Sequence, residues 1–206
     1  MQKFHSSSHK NRPPHLYLDE TIYFITGRTL KNSIFNDNIN KKIFLKILKE
    51  IIDELSIICY AYIILNNHYH ILLKPLNGLS IPRFINRLHS LTSLHINKLQ
   101  NRIGRKMWYQ YWDRIPRNED DFYAWFNYIH LNPVKHGYLN LNKTIFYKAS
   151  GVLHINEDAI SELIRLLKQY KFSSFNSHIN SKSENWMKEL WMNISLPLDI
   201  WNFEKN

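Results

Sequence analysis

Two histidines separated by one residue, His68 and His70, are the first feature of the sequence that could do chemistry. Side chains at positions i and i+2 of a β-strand point to the same face, so on a strand both imidazoles would project together. Two neutral imidazoles on one rigid face make half of a site for a divalent metal ion. Taken alone, such a pair is more often two polar residues on a solvated strand face than a metal site.

Tyr128 is the second feature, because a phenol hydroxyl can act as a nucleophile. It lies on the flank of a predicted helix. The apolar stripe of that helix is formed by Phe122, Trp125, Phe126 and Ile129. Asn132 follows one turn later on nearly the same face, which would bring its amide close to the tyrosine. Pro133 disfavours helical geometry at the residue before it, so the helix is expected to kink there or to end near Leu131.

The surrounding elements place both features on one frame. Hydrophobic patterns predict strands at 21–28, 56–65, 68–75 and 107–116, and helices at about 39–55, 81–99 and 118–137. Asn66 and Asn67 tolerate positive φ and can form a two-residue hairpin turn before His68. The order β-α-β-β-α-β-α predicts an α+β fold with a ferredoxin-like, split βαβ antiparallel sheet, in which the first and third strands are central. The added last helix would carry Tyr128.

Outside this frame the patterns are weaker. Residues 1–15 are expected to be a flexible lead-in, 16–139 the main domain, and 140–206 a C-terminal helical extension. Within the extension, the sequence predicts a helix at 157–170 and a polar linker at 176–185.

Charge favours an anionic partner. The chain has 27 Lys and Arg residues against 17 Asp and Glu, a formal charge of +10, and nucleic acid is the commonest partner of such a protein. The single cysteine, Cys59, excludes an intramolecular disulfide and a multi-cysteine metal cluster. No apolar run is long enough to cross a membrane, and residues 1–8 lack a signal-peptide core, so a cytoplasmic, nucleoid-associated protein is expected.

Several motifs, taken in order, resemble those of the REP-associated tyrosine transposases, within the single-tyrosine HUH transposases. The His-hydrophobic-His triplet that names the larger group is matched by His68-Tyr69-His70. The family's nucleophile lies in a segment that resembles residues 128–137 (YIHLNPVKHG), the most specific signal in the chain. Further segments resemble family motifs at 23–28, 108–114, 118–122 and 170–175. The chain departs from the family near Asn66, where a proline is usual, and at Phe172, where tryptophan is usual.

The resemblance implies an enzyme: a metal-dependent single-stranded DNA endonuclease and strand transferase acting on hairpin DNA through a covalent 5′-phosphotyrosine. Tyr128 would be the nucleophile, and His68, His70 and Asn132 would hold Mg²⁺ or Mn²⁺. Candidate contacts to the DNA phosphates are the basic side chains Arg12, Arg83, Arg87, Arg102, Arg105, Lys106, Arg114 and Arg117.

Three alternatives stay open at this stage. One is a rolling-circle replication initiator, which shares the HUH chemistry. The second is a domesticated protein that binds hairpin or single-stranded DNA without transposition. The third is a basic ferredoxin-like RNA-binding protein without a metal. A homodimer that shares its active site between subunits and a monomer are equally compatible with the sequence.

Overall fold

The computed structural model describes residues 5–7, 15–31, 34–139, 145–193 and 196–203. In the first part of the chain the elements are β1 (His5–Ser7), β2 (His15–Tyr17), β3 (Tyr23–Thr29), α1 (Asn38–Glu54), β4 (Ile58–Ile64), β5 (His68–Lys74), α2 (Ser80–Leu99) and β6 (Trp108–Arg114). These are followed by α3 (Glu119–Lys135), β7 (Phe146–Ala149), β8 (Val152–Ile155), α4 (Ile160–Leu167), α5 (Phe175–Lys182), α6 (Glu184–Asn193), β9 (Leu196–Pro197) and α7 (Leu198–Trp201).

Contacts divide the chain into two compact units. The first contains residues 1–60 and 64–115, and the second contains 61–63 and 116–206. The division falls before α3, whereas the boundary predicted from the sequence lies after it, at residues 139–140. The histidine pair therefore belongs to the first unit and Tyr128 to the second.

The main sheet has four strands in the order β4-β5-β3-β6. Strand β3 pairs antiparallel with β5 on one side and with β6 on the other. This confirms the α+β, ferredoxin-like prediction, including the central position of the strand that carries the two histidines. In the β3–β5 register Thr26 lies opposite His70 and Arg28 lies opposite His68.

Helices α1 and α2 contribute apolar faces to the core of the first unit. The α1 helix begins after Asp37, whose side chain accepts a hydrogen bond from the Ile39 amide at 2.8 Å and caps the helix. Residues at helical spacing are buried on both helices, among them Phe44, Leu48, Ile51, Ile81, Phe84 and Leu88. Burial of each such side chain contributes roughly 1.5–3 kcal/mol before the entropic cost of folding.

The β4–β5 connection is the two-residue turn Asn66-Asn67, closed by the Leu65 amide donating to the His68 carbonyl at 2.8 Å. The two-residue turn is as predicted, although neither asparagine is among the described residues with positive φ. The Phe35 amide donates to the Asn66 carbonyl and the Thr29 amide to the Asn67 carbonyl, so neighbouring segments fix the turn immediately before His68.

Helix α3 is capped as predicted, with the Asn118 side chain accepting from the Asp121 amide at 2.8 Å. The predicted end near Leu131 is wrong, because the helix continues through Pro133 to Lys135. Its last turn is closed beyond the proline by the His136 amide donating to the Asn132 carbonyl at 3.0 Å. Gly137 then ends the helix with φ +69°.

The C-terminal region contains helices α4 to α7, but also a three-stranded sheet in the order β7-β8-β9 that the sequence pattern did not predict. The predicted linker at 176–185 is wrong, because α5 occupies most of it. This helix has two buried apolar residues, Phe175 and Ile179, which is too short a pattern to distinguish a helix from a linker.

Of the predicted lead-in, His5–Ser7 pairs antiparallel with His15–Tyr17. The rest of it, including Arg12, lies outside the described residues. No helix in the described part of the chain is long and apolar enough to span a membrane.

Candidate active site

His68 and His70 project together from β5, as the i, i+2 spacing predicts. Their ring centroids are 4.9 Å apart with an interplanar angle of 69°. Both side chains are buried, with His70 completely excluded from solvent. The Phe24 ring stacks on His70 at 5.3 Å and limits rotation of its plane.

Each histidine engages its Nδ1 atom with a neighbouring side chain. His68 Nδ1 lies 2.7 Å from Asn67 Oδ1, and His70 Nδ1 lies 2.8 Å from Thr26 Oγ1. An amide oxygen only accepts, so His68 donates from Nδ1 and carries its lone pair on Nε2. The Thr26 hydroxyl can accept from His70 in the same way. Bonds of this kind fix the tautomer and orientation of histidines that bind metal through Nε2.

The Nε2 atoms of His68 and His70 are ligand atoms that suit a divalent metal ion. Across the described ranges, no group of three or more His, Cys, Asp or Glu side chains is placed to hold a metal. In the second unit, the Asn132 side chain has an amide oxygen, and this Oδ1 is buried with no hydrogen-bond partner in the described structure.

Tyr128 is completely buried on α3. Lys135, two turns later, donates from Nζ to the Tyr128 hydroxyl at 2.9 Å and lies 4.5 Å from the ring centroid. The Trp125 ring meets the tyrosine ring edge-on at 5.7 Å. A cation at a phenol oxygen stabilises the negative charge that develops there when the phenol becomes a nucleophile.

Asn132 shares the turn of Tyr128, as its spacing predicts. Its Nδ2 donates to the Tyr128 backbone carbonyl at 2.7 Å, which fixes the side chain and leaves Oδ1 as its acceptor. The Tyr128 hydroxyl, its cationic partner and a ligand-type oxygen thus occur within two turns of one helix.

Sequence reasoning missed a contact between His130 of α3 and Ser174, the residue before α5. His130 Nδ1 donates to the Phe126 carbonyl at 2.9 Å, so its Nε2 accepts from the Ser174 hydroxyl at 2.9 Å. Ser174 Oγ in turn accepts from the Tyr62 amide at 3.0 Å. Burial, followed by the nearby His178, lowers the pKa of His130 well below its usual value, so the imidazole is neutral. Both residues lie within family-like motifs, and their 44-residue separation concealed the contact.

Three of the candidate DNA-binding arginines are engaged in ion pairs. Arg83 and Arg87 lie 3.4 and 2.6 Å from the carboxylate of Glu54. Arg117 binds both carboxylate oxygens of Asp121, at 2.5 and 3.0 Å. Arg102, Lys106 and Arg114 are exposed, and Arg12 lies outside the described residues. Their contact with DNA stays a prediction.

Comparison with protein families decides the classification. The family model described as "Transposase IS200 like" matches residues 20–130, more than half of the chain. The chain belongs to the IS200-like transposase family. The matched segment includes both histidines of β5 and Tyr128 of α3, and membership in a transposase family implies enzymatic cleavage of DNA.

The fold is shared with a solved transposase structure. A REP-associated tyrosine transposase bound to a REP hairpin is 15% identical, with a TM-score of 0.61 over 85% of this chain and 87% of that one. A candidate transposase from Deinococcus radiodurans R1 is 18% identical, with a TM-score of 0.40 over 48% of this chain and 80% of that one. A sequence comparison with curated proteins gave no match.

Proposed function

We propose that this IS200-like transposase is a metal-dependent single-stranded DNA endonuclease and strand transferase that uses Tyr128 as its nucleophile. The observation that carries the proposal is the Lys135 ammonium on the Tyr128 hydroxyl. Lysine is the partner expected for a phenol oxygen that must carry negative charge, and the tyrosine lies in the segment that matches the family.

The histidine pair is assigned to the metal ion. His68 and His70 would hold Mg²⁺ or Mn²⁺, and the Asn132 amide oxygen would be a further donor. When bound, the ion polarises a phosphate oxygen and offsets its negative charge. The Nδ1 bonds to Asn67 and Thr26 fix both imidazoles in orientation, which lowers the entropy lost on binding.

The protein's own part of the reaction is a transesterification. The Tyr128 oxygen forms a bond to phosphorus while the bond from phosphorus to the 3′ oxygen breaks. The phenol proton is lost to solvent and the leaving oxygen gains one, which gives a 5′-phosphotyrosine and a free 3′-OH. Lys135 holds the phenol oxygen in place and stabilises its charge as the proton leaves. Attack by another 3′-OH reverses the step and rejoins a strand without ATP, because the ester bond is conserved.

Hairpin DNA with a flanking single strand is the proposed substrate. A structurally similar protein has been solved with a REP hairpin bound. The formal charge of +10 is consistent with a polyanionic substrate.

The proposal is tested by Tyr128→Phe with Tyr123→Phe as the matched control, since both tyrosines lie on α3. A 3′-labelled hairpin oligonucleotide is incubated with each variant and Mn²⁺, and cleavage and the covalent adduct are measured. Tyr128→Phe should lower the cleavage rate by roughly a thousandfold or more while DNA binding is retained. Tyr123→Phe should cleave normally. Undiminished cleavage by Tyr128→Phe would contradict the assignment.

A further inference from the structure

The longest stretch of the chain without an acidic residue lies between Glu54 and Asp113. It contains seven Lys or Arg residues and no Asp or Glu. Glu54 balances two of the seven, Arg83 and Arg87. Four of the other five are concentrated at the end of α2 and in the loop that leads to β6: Lys98, Arg102, Arg105 and Lys106.

The charge of this α2–β6 loop, residues 98–106, is not neutralised by the protein. Lys98, Arg102 and Lys106 are exposed. No ion pair joins any of the four cations to a carboxylate in the described part of the chain. Desolvation, followed by the like charge of Arg102, lowers the pKa of Arg105. An uncompensated cluster of this kind is an electrostatic site for a polyanion.

The loop is held in one conformation by hydrogen bonds to α2. The Asn97 side chain donates to the Arg105 carbonyl at 2.8 Å and accepts from Arg105 Nε at 2.9 Å. The Arg102 amide donates to the Asn97 carbonyl at 2.8 Å. Asn101 and Gly104 supply left-handed conformations at φ +51° and +82°, which let the chain reverse direction twice. A fixed loop loses little conformational entropy when it binds.

The tip of the loop is apolar. Ile103 is 88% exposed, more than any other large hydrophobic residue that the structure describes. Single exposed hydrophobic residues are common on protein surfaces, but this one stands between Arg102 and Arg105 on a fixed turn. Proteins that bind bent or open duplexes use the same combination, in which cations hold the phosphates and an aliphatic side chain packs against bases or sugars in the minor groove.

We infer that the α2–β6 loop docks the paired stem of hairpin DNA, with Arg102 and Lys106 on phosphates and Ile103 against the groove. The inference rests on the proposed function in one respect, because the DNA it holds is the proposed substrate of Tyr128. It assigns stem recognition to a loop that contains none of the arginines Arg83, Arg87, Arg114 and Arg117.

The electrostatic test uses the double variant Arg102→Gln/Lys106→Gln and the control Lys42→Gln/Lys49→Gln, which removes the same charge from exposed positions of α1. Both are made in the Tyr128→Phe background, and binding to a fluorescent hairpin is measured across a salt series. The loop variant should bind about tenfold more weakly and lower the salt slope by about 2, one unit for each lost phosphate contact. Slopes and affinities equal to those of the α1 control would overturn the inference.

The apolar contact is tested by Ile103→Ala, with Leu94→Ala as the control because Leu94 is 61% exposed on α2. Ile103→Ala should weaken hairpin binding about threefold at an unchanged salt slope, and should change binding to an unpaired oligonucleotide less. An effect equal to that of Leu94→Ala would remove the groove contact from the inference. Hairpin RNA that binds as tightly as hairpin DNA and responds equally to the loop variants would overturn the assignment to DNA.

The two proposals fail separately in these experiments. Loop variants that weaken binding, combined with a wild-type protein that forms no adduct, would retain the docking loop and reject the nucleophile. An adduct at Tyr128, combined with loop variants that bind normally, would retain the nucleophile and reject the docking loop.

Discussion

At the scale of single residues, the partners of the two imidazoles determine how the β5 pair would bind a metal. A histidine whose Nδ1 is already bonded presents Nε2 in one tautomer and one orientation. Thr26 does this for His70 from the paired strand, and Asn67 does it for His68 from the turn. The i, i+2 spacing predicted that the two histidines share a face. It contained no information on which residues of β3 would lie opposite them.

Thr26→Val removes the Thr26 hydroxyl with almost no change in shape. The variant should need about 10- to 100-fold more Mn²⁺ for half-maximal cleavage, since partners of this kind contribute that much to metal affinity. A Mn²⁺ titration of cleavage measures the effect. Thr21→Val, which removes a hydroxyl that bonds the Asp19 carbonyl, is the control. Equal Mn²⁺ requirements for the two variants would show that Thr26 does not support a ligand.

Lys135 is the second residue whose role the structure makes testable. Lys135→Met keeps much of the side-chain volume and removes the charge at the Tyr128 hydroxyl. It should slow single-turnover adduct formation by about 100-fold, the lower end of the range for loss of a group that stabilises developing charge. Lys135→Arg should recover part of the rate, and hairpin binding should be nearly unchanged in both. A rate loss explained entirely by weaker binding would reject this role.

Residue types alone do not show which basic side chains are paired with a carboxylate. Arg83 and Arg87 were predicted to contact DNA from composition and helical spacing, yet both lie against Glu54, about 30 positions away in the sequence. Arg102, Arg105 and Lys106 have no such partner in the described structure. Sequence can show where cations occur, but their pairing depends on long-range packing.

At the scale of elements, the hydrogen-bond chain from Tyr62 through Ser174 to His130 holds α3 to the segment that precedes α5. The direction of each hydrogen bond is fixed at the two ends, because the Phe126 carbonyl can only accept and the Tyr62 amide can only donate. These hydrogen bonds therefore hold in place the part of α3 that flanks Tyr128.

Ser174→Ala breaks this chain at its centre. It leaves the buried His130 Nε2 and the Tyr62 amide without a partner, which should destabilise the protein by about 1–3 kcal/mol. Ser173→Ala is the matched control, since Ser173 is equally buried but its bonds are long, at 3.4 Å. Urea unfolding measures both variants. Equal losses of unfolding free energy would contradict a specific role for Ser174.

Elements with long, regular patterns were predicted well, and short ones were not. Helices α1, α2 and α3 and strands β3 to β6 follow from apolar periodicity and capping residues such as Asn118. Strands β7 to β9 have two to four residues each, and α5 has two apolar anchors. In such segments tertiary contacts decide the conformation, so the local pattern is insufficient.

At the scale of the whole molecule, two buried histidines make stability depend on pH. Burial lowers the pKa of His89 to about 3, and burial and His178 lower that of His130 well below its usual value. Both rings stay neutral in the folded protein, but both take up protons in the unfolded chain below about pH 6.5. The unfolded state therefore binds more protons, and unfolding free energy falls as the pH falls.

We expect a loss of about 1.4 kcal/mol per pH unit for each histidine once the pH is below 6.5. Urea unfolding at several pH values and constant ionic strength measures it. His89→Gln and His130→Gln should each reduce this dependence, whereas His95→Gln, at an exposed position, should not. A dependence that is the same in all three variants would contradict this explanation.

The most direct test of the account is to identify the residue that is covalently joined to DNA. Wild-type protein is reacted with a hairpin oligonucleotide and Mn²⁺, the DNA is digested to its first nucleotide, and the peptides are mapped by mass spectrometry. The account predicts a nucleotide joined through its 5′-phosphate to Tyr128, in the helix where Lys135 contacts the phenol. A nucleotide on any other residue, or cleavage without a protein-bound nucleotide, would contradict it.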